Sequence, residues 1–327
     1  MNGQDSSREI EIESVERISK DLTNFHEGDS LLQNPAVIYL VSLGSKSSRA
    51  TMSSFLNIIA KMIGFNSLHD CNWASIKRHH VQMIIEMLKN SNKSPATINT
   101  YLSALKGVAL EAWSLQQINS DTLQRIKAVK SVKGSRIPKG RALQENEIRA
   151  LMESCTGDKS AKGARDTALI SVLIGCGLRR SEIVSIDIEH IITQEKAFKV
   201  MGKGNKERYA FMPDSVWNNV LSWIDNYRGE GSGPLFQRIR KNEDITNGRL
   251  TSQAILYILE QRRIKSGIAK CAPHDLRRTF ATILINDGED IMTVKDSLGH
   301  ADISTTQKYI KQGHDKMKKA AERFSGL

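Results

Sequence analysis

Residues 165–183 read RDTALISVLIGCGLRRSEI, in which a run that is apolar on nearly every side of a helix is followed by two adjacent arginines. A helix that is apolar all round is buried in the centre of its domain, so this run predicts a central helix. Gly177 is its expected end, because glycine readily adopts the left-handed conformation found at helix C-termini. Arg179 therefore follows close to the core, where it either serves a functional site or simply pairs with Glu182.

The segments on either side of this helix predict the rest of its domain. The pattern ENEIRALMESC at 145–155 is amphipathic. Its apolar helical face consists of Ile148, Leu151, Met152 and Cys155. The stretch KVMGKGNKERYAFM at 199–212 has two short apolar runs about a Gly-Lys-Gly-Asn-Lys turn, which predicts a β-hairpin. We therefore expect residues 143–327 to be mainly α with a small antiparallel β-sheet, an α+β domain.

Residues 35–124 predict a separate, all-helical domain. One helix is indicated by apolar residues at helical spacing, Met52, Phe55, Ile59 and Met62. A second reads SPATINTYLSALKGVALEAW, in which Ser94 suits the N-cap and Pro95 suits the first helical position. Its predicted buried stripe is Ile98, Leu102, Leu105, Ala109 and Ala112. Tyr101 and Lys106 fall off this stripe.

The chain is strongly basic, but its charge is unevenly distributed. The net charge of +11 and the isoelectric point near 9.4 favour a polyanionic partner, although a basic solvated surface would give the same totals. Residues 1–34 form an acidic N-terminal extension with three basic and eight acidic residues, whereas residues 35–150 hold sixteen basic and six acidic ones. No chemistry is assigned to the extension.

Residues 125–142 are predicted to be a basic linker between the two domains. The segment contains no acidic residue, and Gly and Pro occur near its end. Its basic residues are Arg125, Lys127, Lys130, Lys133, Arg136, Lys139 and Arg141. A solvated hinge and a strap along a phosphate backbone explain this composition equally well.

Several other classes of protein are disfavoured by the composition. No apolar run approaches the roughly 20 residues of a membrane span, and the N-terminus lacks the pattern of a secretory signal. The four cysteines lie far apart without a C-x-x-C pair, which argues against a zinc site and a disulfide framework. We expect a cytoplasmic protein with no metal site, no membrane partner and reduced thiols, with Cys155 and Cys176 in cores.

Two short motifs carry side chains suited to phosphate chemistry, although each alone is weak. Lys203 occupies the predicted hairpin turn, where most basic side chains are merely exposed to solvent. In PHDLRRTF, Pro273 opens a helix and places His274 and Arg277 on one face, near the positive end of the helix dipole. Such a helix start can bind phosphate, but an isolated His-x-x-Arg usually has no special role.

A third motif, SLGHADISTTQKYI at 297–310, carries a histidine and a tyrosine nine residues apart. His300 closes one helix, and Ser304 or Thr305 is expected to start the helix that carries Tyr309. Read alone, Tyr309 fits a packing residue better than a nucleophile. In a site for phosphoryl transfer, His300 would hydrogen-bond the scissile phosphate.

In combination these motifs fit metal-free phosphodiester transfer. Arg179 and Arg277 would clamp the negatively charged transition state with planar guanidiniums. Tyr309, with an ordinary pKa near ~10, would need their positive field and His274 as the proton acceptor. Lys203 could protonate the departing 5′-oxygen.

The same residues resemble the catalytic pattern of the tyrosine site-specific recombinases, the phage-integrase and Xer-type family. The pattern appears in order as Arg179 in GLRRSE, Lys203 in GKGNKER, His274 and Arg277 in HDLRR, His300 in LGH, and Tyr309 in STTQKY. The intervals of 24, 71, 26 and nine residues between the successive motifs are similar to those of a compact Xer-type catalytic domain. The resemblance extends from about residue 34 to the C-terminus.

The resemblance implies a two-domain, C-shaped clamp on duplex DNA, with a SAM-like core-binding domain at 35–124 and the catalytic domain at 143–327. It implies four protomers on two DNA sites, a 3′-phosphotyrosyl bond to Tyr309, a Holliday-junction intermediate and no cofactor. It also implies that the linker follows DNA and that a C-terminal helix at 314–327 docks on a neighbouring subunit. The expected DNA contacts are Arg49, Tyr101, Lys106 and the seven basic linker residues. The protein would then be associated with the nucleoid.

Several biological roles are compatible with this pattern. The acidic extension favours integration, excision or resolution of a mobile element, and Xer-type resolution of chromosome or plasmid dimers is the alternative. A catalytically inactive DNA-organising protein and an enzyme similar to type IB topoisomerases fit less well, because the six catalytic residues are complete and the final helix has subunit-docking length. The absence of a sizeable insertion between Lys203 and His274 disfavours an integron integrase. The target sequence and any accessory protein are left open.

Overall fold

The chain divides into two units, Met1–Ile137 and Pro138–Leu327, and their boundary lies inside the predicted linker. The computed structural model describes residues 33–134, 140–202, 206–300 and 302–310. Helices predominate in both units, as expected. Within these described ranges, no helix is both long enough and apolar enough to cross a membrane.

Five α-helices build the first unit within residues 33–134. They are α1 (Pro35–Ser42), α2 (Lys46–Met62), α3 (Arg78–Asn90), α4 (Pro95–Ser114) and α5 (Ser120–Lys127). Helix α4 packs against the other four. It begins as predicted, since Ser94 Oγ accepts a hydrogen bond from the Thr97 amide at 3.2 Å and Pro95 follows in the first helical position. The predicted stripe is buried at all five positions, Ile98, Leu102, Leu105, Ala109 and Ala112.

The placement of Tyr101 off the buried stripe was wrong. Its side chain is only 2% exposed and stacks on Phe55 at 4.1 Å between ring centroids. Because the hydrophobic core surrounds helix α4 on several sides, its buried face is wider than the single stripe read from the sequence, and Ala104 and Val108 belong to it as well. Tyr101 therefore contributes packing and is removed from the surface that DNA could contact.

The first part of the predicted linker belongs to the first unit. Helix α5 extends to Lys127, and Ile126 and Val129 are buried in the same core. The Asn99 side chain exchanges two hydrogen bonds with the backbone of Val132, at 2.8 and 3.0 Å. Residues 125–132 are thus held in place and are not a solvated hinge.

Eight α-helices of the second unit lie within its described residues. They are α6 (Glu145–Thr156), α7 (Ala161–Gly175), α8 (Arg180–Val184), α9 (Asp214–Trp223), α10 (Ser252–Ser266), α11 (Pro273–Asn286), α12 (Ile291–Leu298) and α13 (Ile303–Ile310). Helix α7 is the predicted central helix, since most of its apolar residues are buried and it packs against α6, α9 and α11. It ends at Gly175, two residues before the expected glycine, and Gly177 has the left-handed φ of +59°. Cys155 and Cys176 are buried in this core, as predicted.

Two small antiparallel sheets complete the second unit. Strands β1 (Ile191–Ile192), β2 (Ala197–Met201) and β3 (Glu207–Phe211) pair in that order, with Val200 opposite Arg208. The predicted hairpin is therefore confirmed as β2–β3, and its tip, including Lys203, lies outside the described residues. A second pair, β4 (Gln237–Ile239) and β5 (Ile245–Arg249), was not predicted, because β4 has only three residues and its pairing is irregular.

Candidate active site

Arg277 lies on the first turns of α11 and joins the ends of two other helices. Pro273 starts this helix as predicted, and the Arg277 side chain is 1% exposed. Its Nη1 donates to the carbonyl of Gly177 at 2.6 Å, and its Nη2 donates to the carbonyl of Leu298. Arg277 is thus a buried cation bound at the C-terminal ends of α7 and α12, where carbonyl groups carry partial negative charge.

Glu182 on α8 organises the other cations of the site. Its carboxylate, 4% exposed, accepts bonds from Arg179 Nη1 at 2.6 Å and from Arg208 Nη1 and Nη2 at 3.2 and 3.0 Å. Arg277 Nη1 lies 3.9 Å from the same carboxylate. Burial alone would raise the pKa of Glu182, but the hydrogen bonds from Arg208 and Arg179 outweigh it and hold the pKa below its ordinary value. The Arg179–Glu182 pair considered from the sequence is therefore present, and it is part of a larger cluster.

Arg179 remains partly open to solvent within this cluster. Its side chain is 32% exposed, and its Nη2 donates to the carbonyl of Gly299 at 3.1 Å. Arg179 and Arg277 therefore meet at one place, between the end of α7 and the turn that follows α12.

His274 lies three residues before Arg277 on α11 and is exposed to solvent. Partial desolvation lowers its pKa, and the positive charges of Arg277 and Arg278 lower it further. A histidine with a lowered pKa is neutral at pH 7 and can accept a proton. This state is the one that the predicted role of general base requires.

His300 follows Gly299, whose left-handed φ of +63° ends α12. The ring is 8% exposed, and its Nδ1 lies 2.8 Å from Thr306 Oγ1. Burial lowers the pKa of His300 to about 4, with further lowering by Arg277 and Arg179. His300 is therefore neutral at pH 7 and belongs to the same electrostatic site as the two arginines.

The backbone of Tyr309 is part of helix α13, nine residues after His300, and the structure does not describe its side chain. Helix α13 begins at Ile303, slightly before the expected Ser304 or Thr305. Asp302 Oδ1 accepts a hydrogen bond from the Ser304 amide at 2.8 Å, which satisfies a free amide of the first turn.

Two residues of the site were missed from the sequence, Arg208 and Thr306. Arg208 on β3 connects the hairpin that carries Lys203 to Glu182, and its Nε donates to the carbonyl of Ser297 at 3.3 Å. The only signal for Arg208 was its position two residues after the predicted turn, which does not show the inward direction of its side chain. Thr306 stood within a motif chosen for its histidine and tyrosine.

The predicted DNA contacts have different surroundings. Arg49, Lys127, Lys130 and Lys133 are exposed on the first unit. Two of these, Lys130 and Lys133, line a groove of about 750 Å³ together with Arg78 and Lys89. This groove is a basic surface on the first unit.

Other predicted contacts are engaged within the protein. Lys106 Nζ donates to the carbonyl of Val129 at 2.8 Å, and Arg125 forms an exposed pair with Asp121. Arg141 makes a two-pronged ion pair with Glu147. Arg136 and Lys139 lie outside the described residues.

The charge of this site suits a phosphoryl transition state. Three guanidiniums, from Arg179, Arg208 and Arg277, face the one carboxylate of Glu182, which leaves a surplus of two positive charges. A phosphodiester carries one negative charge, and its non-bridging oxygens gain more as the reaction proceeds. Both Nη atoms of Arg277 already bind carbonyls, so Arg179 presents the more accessible guanidinium to an incoming phosphate.

Sequence comparison matches both units of the chain to known protein domains. Residues 141–315 match the phage integrase family, and residues 39–114 match the phage integrase N-terminal SAM-like domain. The tyrosine recombinase XerD of Oceanobacillus iheyensis is 29% identical over 266 residues, which cover 79% of this chain and 86% of that protein. The tyrosine recombinase XerC of Staphylococcus carnosus is 26% identical over 288 residues, which cover 86% and 93%.

Solved structures share the fold. The Tn1549 transposon integrase in complex with circular intermediate DNA matches with a TM-score of 0.63 at 18% identity, covering 85% of this chain and 94% of that one. The XerH recombinase bound to a palindromic difH substrate matches with a TM-score of 0.64 at 22% identity, covering 88% of each chain. The fold agrees with the family match over residues 141–315, and that match and the Xer relatives show that the chain belongs to the phage integrase family and is a tyrosine recombinase, a DNA strand transferase.

Proposed function

We propose that this enzyme cuts and rejoins duplex DNA at two sites through a 3′-phosphotyrosyl bond to Tyr309, acting as a tetramer through a Holliday junction. The observation that carries the proposal is the meeting of Arg179, Arg277 and His300 around Glu182 and the Gly299 turn. The turn leads directly into α13, the helix whose backbone includes Tyr309. Two structural relatives, the Tn1549 transposon integrase and the XerH recombinase, were solved in complex with DNA, which supports DNA as the partner.

In the proposed reaction, the Tyr309 oxygen attacks the scissile phosphorus while His274 accepts the phenolic proton. The bond from phosphorus to the 5′-oxygen breaks, and Lys203 gives that oxygen a proton. Arg179 and Arg277 balance the charge on the non-bridging oxygens, and His300 donates a hydrogen bond to the phosphate. A 5′-hydroxyl from the other site then attacks the phosphotyrosine and releases Tyr309, so the energy of the phosphodiester bond is conserved.

The basic linker and the groove on the first unit are proposed to bind the DNA backbone. Lys130 and Lys133 are exposed on a segment that Asn99 holds against the core, so these side chains are presented from a fixed backbone. A fixed row of cations loses less conformational entropy on binding phosphate than a loose strap would. Exchange of the C-terminal segment 314–327 between subunits is part of the same proposal.

A suicide substrate tests the chemistry. DNA nicked near the cleavage position releases a short fragment and traps the covalent complex, which a denaturing gel separates from free protein. Wild-type protein should become attached to DNA, and Tyr309→Phe should not while still binding DNA in a mobility-shift assay. A wild-type protein that never becomes attached to DNA would exclude the proposed reaction in favour of an inactive DNA-organising protein.

A second experiment addresses Lys203. Lys203→Ala should slow cleavage of ordinary DNA and recover on DNA with a 5′-phosphorothiolate at the scissile position, because the sulfur leaving group needs no proton. If the modified DNA does not restore cleavage, the proton comes from another group.

We place the enzyme in integration, excision or resolution of a mobile element, with dimer resolution of the Xer type as the second candidate. The similarity to XerD and XerC supports the second candidate as much as the first. Genome-wide mapping of trapped covalent complexes distinguishes the two. Cleavage at the ends of a discrete element would support the first, and cleavage at one chromosomal site outside any element would support the second.

A further inference from the structure

Thr306 is a fully buried hydroxyl at the centre of the site. Its side chain is 0% exposed, and its Oγ1 lies 2.8 Å from Nδ1 of His300. Threonine has the same shape as valine, so a buried position that needed only packing would be served equally well by an apolar side chain. The Thr306 hydroxyl gives the His300 ring a hydrogen-bond partner that an apolar side chain of the same shape could not supply.

A hydrogen bond to Nδ1 determines whether Nε2 of the ring is a hydrogen-bond donor or an acceptor. Because the pKa of His300 is lowered to about 4, the ring is neutral at pH 7 and carries a single N–H. With that proton on Nε2, the ring offers a donor to a phosphate oxygen. With the proton on Nδ1, the ring offers Nε2 as a lone pair, which a phosphate repels.

We propose that Thr306 is a positioning residue whose hydroxyl donates to Nδ1 of His300, keeps the ring proton on Nε2, and so makes His300 a donor to the scissile phosphate. This inference rests on the proposed function and adds a residue to it. Thr306 acts through His300 and does not itself contact DNA.

The position of Thr306 on α13 gives the bond a further consequence. Thr306 lies three residues before Tyr309, which is about one helical turn. A shift of α13 that carries the tyrosine backbone away from the phosphate also withdraws the hydroxyl from His300. A displacement of the nucleophile is therefore accompanied by loss of the hydroxyl that fixes the His300 proton.

The ring tautomer is measured directly by nitrogen NMR on full-length protein labelled with ¹⁵N-histidine, with His300→Gln used to assign the His300 signals. Wild type and Thr306→Ser, which keeps the hydroxyl, should both carry the proton on Nε2. Thr306→Val, which keeps the shape without the hydroxyl, should give a mixture of tautomers. Thr305→Val is the matched control on the neighbouring position and should leave the tautomer unchanged.

Single-turnover cleavage of the suicide substrate supplies the second readout. Thr306→Ser and Thr305→Val should cleave within about threefold of wild type. Thr306→Val should cleave about 10- to 100-fold more slowly, because a mixture of tautomers loses only part of the roughly 10²–10³-fold effect of one donor to the transition state. A wild-type His300 ring that carries its proton on Nδ1, or a Thr306→Val enzyme that cleaves at the wild-type rate, would overturn the inference.

The design also separates this inference from the proposed function. If Thr306→Val does not fold, the tautomer of wild type and of Thr306→Ser still tests the inference, because a proton on Nδ1 would make the hydroxyl the acceptor and overturn it. If wild type forms no covalent complex, the proposed function fails, and the NMR result still decides whether Thr306 sets the ring proton.

Discussion

Replacing Glu182 by glutamine tests whether one buried carboxylate holds the cations of the site. The change keeps the shape of the side chain but removes its charge. The wild-type carboxylate accepts bonds from the Arg179 amide and Nη1 and from two Nη atoms of Arg208. Glutamine has one acceptor oxygen, and its NH₂ group must face one of the guanidiniums, whose N–H groups cannot accept a hydrogen bond.

The expected loss of stability is large because the site is buried. Breaking a buried ion pair by removing one partner costs about 3–5 kcal/mol, and Glu182, at 4% exposed, fits this case. For a unit of this size the melting temperature falls by about 2–4 °C per kcal/mol, so a decrease of roughly 6–20 °C is expected. DNA binding should persist, because the variant site is more positive, whereas cleavage should fall about 100-fold as Arg179 loses its fixed position.

The pH dependence gives the sign of the effect. The pKa of Glu182 is lower in the folded protein than in the unfolded chain. Its stabilising contribution is therefore complete above the unfolded pKa of about 4.3 and is lost as the pH falls through the lower folded value. The melting temperatures of wild type and Glu182→Gln should differ most at neutral pH and converge in acid.

Thermal unfolding followed by circular dichroism measures these differences. Glu145→Gln is the matched control, because Glu145 forms an exposed pair with Arg149 and should change the melting temperature little. A double variant, Glu182→Gln with Arg208→Met, should lose less stability than the sum of the two single variants, because no unpaired guanidinium is left at Arg208. The reasoning is refuted if Glu182→Gln and Glu145→Gln melt alike.

Three further predictions follow from other parts of the structure. Gly177→Ala should lower the free energy of unfolding of the second unit by about 1–3 kcal/mol, measured by urea unfolding. The reason is that φ is +59° at this residue and the new Cβ would lie 2.3 Å from the Phe280 ring. Gly231→Ala is the control, because a Cβ there has open space around it. In wild type, the buried neutral His300 stabilises the fold above its unfolded pKa of about 6.5, and this contribution is lost as the pH drops toward about 4. His300→Gln should therefore show a smaller fall in the free energy of unfolding between these pH values. An unchanged pH profile would contradict this prediction. Neutralising three exposed lysines of the linker should reduce the slope of log affinity against log salt concentration by up to about 3. DNA-binding titrations at several salt concentrations measure this slope. An unaltered slope would remove the segment from the DNA interface. The lysines are Lys127, Lys130 and Lys133.

Local patterns predicted the elements of the fold well, because helix faces, caps and the hairpin turn are written in neighbouring residues. The central helix α7, the start of α11 at Pro273 and the β2–β3 hairpin were all predicted from short stretches. The width of a buried face was not, since Tyr101 is buried by Phe55, a residue on another helix. Packing between helices decides burial, and a single helical stripe does not contain that information.

The candidate site shows the same division. Motif order and spacing predicted its residue types, but not the bonds between elements that hold them in place. Arg208 reaches Glu182 across 26 positions of the chain, and Arg277 reaches the carbonyl of Gly177 across 100. A buried network elsewhere in the second unit, where Arg262 binds Asp166, was likewise invisible because its partners lie 96 residues apart.

The bonds between Arg277 and the carbonyls of Gly177 and Leu298 have a consequence for the integrity of the DNA that the enzyme acts on. These acceptors become adjacent only when the ends of α7 and α12 are both docked against α11. The first unit has a core of its own, and the backbone next to its exposed Lys130 and Lys133 is held by Asn99 within that unit. If the first unit binds DNA as proposed, a copy whose second unit is incompletely folded would occupy DNA without nicking it. A folding error would then produce a competitor for binding and no unsealed break.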